Sequence, residues 1–182
     1  MDAGPVQVID ACVLVNLLAT GHIEGILGAA AERSVICTAV RTELIYLRPD
    51  DPKDPLQPID LTPLIDNGSL EVCQIQGDDE ELLYIDYAAK LDDGEAMCMA
   101  LALSRRLRLA TDERKARRLF IQATGDPERL ISTAQLVRNW AETTSIPPTE
   151  LGRVLASIQN RARYQPPAKD DPNYPWWIDA CR

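Results

Sequence analysis

Histidine is nearly missing from this chain of 182 residues, with His22 the only one. A Ser-His-Asp triad would have to be built on it, yet its Gly21-His22-Ile23-Glu24 surroundings carry no nucleophile signature. His22 therefore reads as a connector. Neither the Gly-rich P-loop pattern nor the dinucleotide-binding glycine pattern occurs, which excludes both kinds of phosphate cradle. No apolar run approaches the roughly 20 residues needed to span a bilayer. Met1 to Pro5 lack the cationic start of a signal peptide, and Asp10 and Asn16 interrupt the apolar stretch that follows. The expectation is a cytoplasmic protein with no membrane association. The five cysteines are odd in number and include no C-x-x-C pair, which fits reduced thiols better than a disulfide frame or zinc knuckle.

Carboxylates are in surplus. Asp and Glu number 28 against 19 Lys and Arg, for a net charge of -9, so any chemistry falls to acids. The charge is uneven along the chain. From Asp50 to Glu95 the only cations are Lys53 and Lys90, whereas Arg105, Arg106, Arg108, Arg114, Lys115, Arg117 and Arg118 crowd into one stretch. A solvated acidic loop region beside a solvated basic helix would account for this. The excess of acid argues against nonspecific adhesion to nucleic acid but leaves room for a local basic groove.

Strand and helix signals alternate. Short strands are predicted at Val6 to Asp10, Ser34 to Cys37, Leu70 to Ile75, Leu107 to Thr111 and Arg129 to Ser132. Helices are predicted at Cys12 to Ala19, Ile23 to Ala31, Thr38 to Leu47, Asp78 to Ala89 and Gly94 to Arg105, with Arg48 to Asn67 a long loop. The Gly94 helix is apolar on nearly all sides, which places it between layers. Ala116, Leu119, Phe120 and Ala123 follow helical spacing, leaving Arg114, Arg117 and Arg118 on another face. Another helix carries Leu136, Val137 and Trp140. This alternation predicts an α/β fold of three layers, α/β/α, around a central parallel sheet. Residues 1–145 would form the domain. Residues 146–182 would be a C-terminal appendage, with a helix presenting Leu151, Val154, Leu155 and Ile158 and then a Pro/Trp-rich tail. The paired Trp176 and Trp177 suit a clasp packed on the domain, or else an exposed patch for a partner.

In parallel α/β sheets, ligands bind at the carboxyl ends of strands where the strand order reverses. Asp10 ends the first strand, and Asp112 with Glu113 ends the fourth. Each also has the simpler reading of a helix cap. Glu95 likewise fits a capping box with Asp92. Glu43 shares helical spacing with Val40, Leu44 and Leu47, so it is expected inside an apolar stripe, where burial without a partner costs several kcal/mol. If Asp10, Glu43, Glu95 and Asp112 or Glu113 converge, they need a compensating cation. Oxygen-only donors select hard ions such as Mg²⁺ or Mn²⁺. Such ions suit phosphoryl chemistry, and the arginine-rich helix would hold flanking phosphates.

Four segments together resemble the PIN domain, a nuclease family that includes VapC-type toxins of bacterial toxin-antitoxin pairs. They are Val8-Ile9-Asp10-Ala11-Cys12-Val13-Leu14, Thr38 to Leu44 with Glu43, Gly94-Glu95-Ala96 opening an alanine-rich helix, and Leu109-Ala110-Thr111-Asp112-Glu113. The resemblance covers roughly Val6 to Ala141. It implies a metal-dependent endoribonuclease, a hydrolase cutting RNA phosphodiester bonds to leave a 5′-phosphate and a 3′-hydroxyl, in the role of a type II toxin. It implies Mg²⁺ or Mn²⁺ held by Asp10, Glu43, Glu95 and either Asp112 or Glu113, with Thr111 in support and Asp93 a substitute third acid. Implied partners are single-stranded RNA, contacted by Arg114, Arg117 and Arg118, an antitoxin protein and a second copy in a homodimer. Two positions depart from the family pattern: Ala11-Cys12 stand where Thr or Ser often follows the first acid, and Glu95 where Asp is common. A haloacid-dehalogenase-like phosphatase is excluded, because its Asp-x-Asp is here Asp10-Ala11-Cys12. The competing reading is a noncatalytic PIN-like module that binds RNA or a protein.

Overall fold

Val6-Gln7-Val8-Ile9 forms β1 (Val6–Ile9), and its last three residues are buried, as expected of a strand covered on both faces. In a computed structural model, residues 6–30, 33–43, 46–51 and 53–182 are described. The expectations for Met1 to Pro5, for a helix end at Ala31 and for Leu44 lie outside them. On one side β1 pairs in parallel with β2 (Arg33–Cys37), which pairs with β5 (Glu71–Cys73). On its other side stands β6 (Arg108–Ala110), followed by β7 (Leu130–Ile131). The order β5-β2-β1-β6-β7 runs outward from β1 in one direction and then crosses back, so the reversal falls between β1 and β6. Those two strands carry Asp10 and Asp112 at their carboxyl ends.

Helices flank this sheet. On one face α6 (Asp93–Ser104) packs on β1, β2 and β6 and is covered in turn by α5 (Gly77–Ala88). Its Ala96, Cys98, Met99, Ala100, Leu101 and Ala102 are buried, so the predicted inner helix is found between layers. On the other face lie α1 (Ala11–Ala19), α2 (Ile23–Ala29) and α8 (Thr133–Thr144). Helix α7 (Arg114–Thr124) buries Ala116 and Phe120 and ends at Gly125, whose φ of 64° provides a left-handed stop. Among the described residues no single helix is long and apolar enough to cross a membrane.

Two expectations need correction. The helix predicted to run from Thr38 to Leu47 is α3 (Thr38–Glu43), and Leu47 belongs to a two-residue strand, β3 (Tyr46–Leu47). That strand pairs antiparallel with β4 (Gln57–Pro58), so a ribbon to residues ten positions away overrides the helical spacing. The loop predicted from Arg48 to Asn67 thus contains β4 and also α4 (Thr62–Asp66), whose start is fastened by Asp60 Oδ1 accepting from the Thr62 N–H at 2.9 Å. Pro63 lies in its first turn, where a missing N–H is harmless.

The C-terminal part is packed on the sheet domain. Helix α9 (Pro148–Ser157) buries Leu151, Val154 and Leu155, and Ser157 Oγ donates to the Ala19 carbonyl at 2.7 Å. A wider turn of helix at Ile158–Ala162 follows. In α10 (Tyr174–Ala180) Trp177 is fully buried, edge-on to Tyr164 at 5.7 Å, while Trp176 faces the Arg138 guanidinium at 6.0 Å. The tryptophans form a clasp.

Candidate active site

The strand reversal places Asp10 beside the turn that leaves β6. Asp10 is buried, and its Oδ1 accepts from the Ala11 N–H at 2.8 Å, which makes it the cap of α1. Its Oδ2 accepts from the Thr111 hydroxyl at 2.8 Å and from the Cys12 thiol at 3.2 Å. Burial raises its proton affinity above the ordinary carboxylate value, and these donors pull it partly back. The position taken by Cys12 therefore does supply a donor, although a weak one. Burial also pushes the Cys12 thiol far above its ordinary value, so it stays protonated.

Asp112 is tied into the protein on every side. Its Oδ2 accepts from Asn16 Nδ2 at 3.0 Å and from the Thr133 hydroxyl at 2.5 Å. Its Oδ1 accepts from the Thr133 N–H and the Tyr164 hydroxyl, both at 3.1 Å. Four donors account for about four lone-pair sites. Asn16 was visible in the sequence only as a polar break in an apolar run, and Thr133 and Tyr164 gave no local signal. Glu113, one residue on, is exposed; its N–H donates to the Thr111 hydroxyl at 3.2 Å, but its carboxylate has no hydrogen bond or ion pair to any described residue.

Glu43 and Glu95 approach from the opposite side. Glu43 is exposed at the end of α3, so the expected burial in an apolar stripe is corrected: Leu47, one member of that stripe, lies in β3 instead of the helix. Its carboxylate lies against the buried Gly94, where an added Cβ would stand 2.7 Å from Oε2 and 2.8 Å from Oε1. Gly94 is what lets α3 and α6 bring these acids together. Asp92 Oδ1 accepts from the Glu95 N–H at 2.9 Å, the N-cap bond of the expected box. Capping does not exhaust the role of Glu95, because Asp92, Asp10 and Glu113 all face it. Partial burial and those three charges push it up to about 7. Glu43 is raised too, by burial and by Asp92, Asp10 and Asp93. Asp93 accepts from the Tyr84 hydroxyl at 3.2 Å, on the outer side of α6.

The cations are less available than their spacing suggests. Arg117 donates to the Thr111 carbonyl at 2.8 Å, which ties it to the turn that carries Asp112. Arg114 pairs with Asp170 at 3.4 Å, and Arg118 is exposed. Arg105 is held by Glu80 at 2.7 Å, and that pairing pulls Glu80 down to about 2. His22 packs its ring on Trp140 at 5.1 Å, a connector position. All five cysteines are free thiols.

Asp10, Glu43, Glu95 and Glu113 thus share one rim of the sheet, where the charges of Asp10 and Asp92 raise the proton affinity of both Glu43 and Glu95, while Asp112 stands behind them in a network of its own. A PIN domain family model matches residues 6–167. This chain belongs to the PIN domain family. No curated protein and no solved structure gave a match. PIN domains are usually nucleases and typically bind a divalent metal ion, which suggests a nucleic acid substrate. Among the described residues no group of three His, Cys, Asp or Glu side chains already stands converged on an ion. The donor chemistry of this PIN domain nevertheless fits one: the acids are oxygen donors only, and their raised proton affinities mark a surplus of negative charge that a cation relieves.

Proposed function

We propose that this PIN domain is a metal-dependent endoribonuclease that hydrolyses single-stranded RNA to 5′-phosphate and 3′-hydroxyl ends. The observation that carries the reading is the facing set Asp10, Glu43, Glu95 and Glu113, in which Glu95 is pushed up to about 7 and no member forms an ion pair among the described residues. Asp10, Glu43, Glu95 and Glu113 would hold Mg²⁺ or Mn²⁺. Glu113 is preferred over Asp112 as the fourth acid, since the four donors on Asp112 leave it no free oxygen site. When bound, such an ion supplies Lewis acidity to the scissile phosphate.

The chain's own residues set the frame for that chemistry. The Thr111 hydroxyl and the Ala11 N–H fix both oxygens of Asp10, and the Glu43 carboxylate rests against the side-chain-free face of Gly94. Asp112 clamps the 111–113 turn to α1, α8 and Tyr164, which aims Glu113 at Glu95. Without a cation Glu95 retains a proton near neutral pH and gives it up as the cation binds. The role of a toxin held by an antitoxin is compatible with this chemistry and adds nothing to the site.

The test is Mn²⁺ binding by calorimetry together with cleavage of a labelled single-stranded RNA. Glu43→Gln and Glu95→Gln should each weaken Mn²⁺ binding and abolish cleavage while the fold persists. Retained cleavage in both variants would remove this set from the chemistry and favour a noncatalytic module.

A further inference from the structure

We propose that residues 162–167, the segment after α9, form one wall of the RNA cleft and that Arg163 holds a phosphate adjoining the one that is cut. This rests on the nuclease reading above. A cleft of about 460 Å³ opens beside Asp112 and Glu113, with Cys12 and Asn16 of α1 on one side and Arg163, Tyr164 and Gln165 on the other. Among the described residues lining it, Arg163 is the only cation, set against two carboxylates.

The segment is fastened on both sides of Arg163. Before it, Arg161 donates to the Arg48 carbonyl at 3.0 Å and to Gln57 Oε1 at 2.7 Å. After it, the Tyr164 hydroxyl reaches Asp112 at 3.1 Å. The Arg163 guanidinium has no hydrogen bond or ion pair to any described residue, and the residue is exposed. It also stands at φ 56°, ψ 34°, a left-handed conformation that a residue with a β-carbon adopts at a cost and that Gly or Asn adopts more readily. This is the left-handed stop that ends the preceding turn of helix, as Ser145 ends α8, and it fixes where the Arg163 side chain leaves the backbone at the mouth of the cleft. An RNA strand approaching a chain of net charge -9 needs such a cation at the site of entry. The arginines of α7 do not line this cleft, and Arg117 among them is held by the Thr111 carbonyl. A guanidinium also matches the paired oxygens of a phosphate.

The test replaces Arg163 by Gly, and separately by Asn, in an Asp10→Asn background that does not cut. Binding of a short mixed-sequence single-stranded RNA is followed by anisotropy in Mg²⁺ over a salt series, with Tm measured alongside. Both replacements should keep or raise Tm, because they relax the left-handed position. They should weaken binding about tenfold, the loss expected of one charge-assisted contact, and flatten the log-log salt slope by roughly 0.7. Unchanged affinity and slope, with the Asp10→Asn parent still binding RNA, would overturn the role of Arg163 alone. A fall in Tm accompanying the loss of binding would overturn it as well, by making Arg163 structural. If the parent binds no RNA at any salt, the nuclease reading fails and this inference with it.

Discussion

The two sides of the acid site are built on opposite terms. On the β1–β6 side, Asp112 receives four hydrogen bonds and Asp10 three, from Asn16, Thr133, Tyr164, Thr111, Cys12 and the Ala11 N–H. On the α3–α6 side, the Glu43 and Glu95 carboxylates have no side-chain donor among the described residues and look at other carboxylates. A buried acid supplied with donors is part of the fold. Acids pressed together with few donors gain from a cation that arrives later. Asp10 belongs to both sides, held by donors yet raising Glu43 and Glu95 through its charge.

The contrast breaks most visibly in stability. Asp112→Ala strips the acceptor from Asn16, Tyr164 and both Thr133 donors, and should lower the unfolding free energy by about 3 kcal/mol in a urea titration. Glu95→Gln, on the open side, should leave stability unchanged or raise it at pH 7.5, because it removes a repelled charge. Equal losses in the two variants would erase the distinction between the sides. Gly94→Ala sharpens it further. The new Cβ, 2.7 Å from Glu43 Oε2, displaces a carboxylate at the end of a flexible side chain, so the fold should survive while kcat/KM for RNA falls about a hundredfold. Full activity in Gly94→Ala would show that the position of Glu43 is immaterial.

The smallest effect is in pH. Glu95 stands at about 7 in the folded chain against an ordinary 4.5. Between those values the folded chain holds a proton that the unfolded chain has lost, so stability in EDTA should fall as pH rises from about 5 to 7 and level off above. Asp10 and Glu43 shift in the same direction, and solvent screening keeps the contribution of Glu95 on the order of 1 kcal/mol. Glu95→Gln should flatten the profile, as should saturating Mg²⁺. A profile that rises over this range would mean that the open side already has its counter-charges.

Much of this architecture was legible from local signals. Apolar strands alternating with helices predict the parallel sheet that is found, and the strands ending in Asp10 and Asp112-Glu113 are the expected neighbours, β1 and β6. What was not legible depends on distance along the chain. Leu47 reads as helical until β4 pairs with it, and Glu43 reads as buried until α3 stops short of that pairing. Asp112 and Glu113 are indistinguishable in the sequence. They separate only when Thr133 and Tyr164, 21 and 52 residues onward, claim the first and leave the second open. Arg117 belongs to a basic face by its spacing, yet its guanidinium folds back to the Thr111 carbonyl, a contact no periodicity reveals.

The most direct test of the central claim is cleavage of a mixed single-stranded RNA pool by the wild-type chain and by Asp10→Asn, purified identically and both shown to be folded, in Mg²⁺, Mn²⁺ or EDTA. The wild type should cut with either metal and not in EDTA, and Asp10→Asn should not cut under any condition. Cleavage that persists in Asp10→Asn, or no cleavage by the wild type with either ion, would contradict that claim.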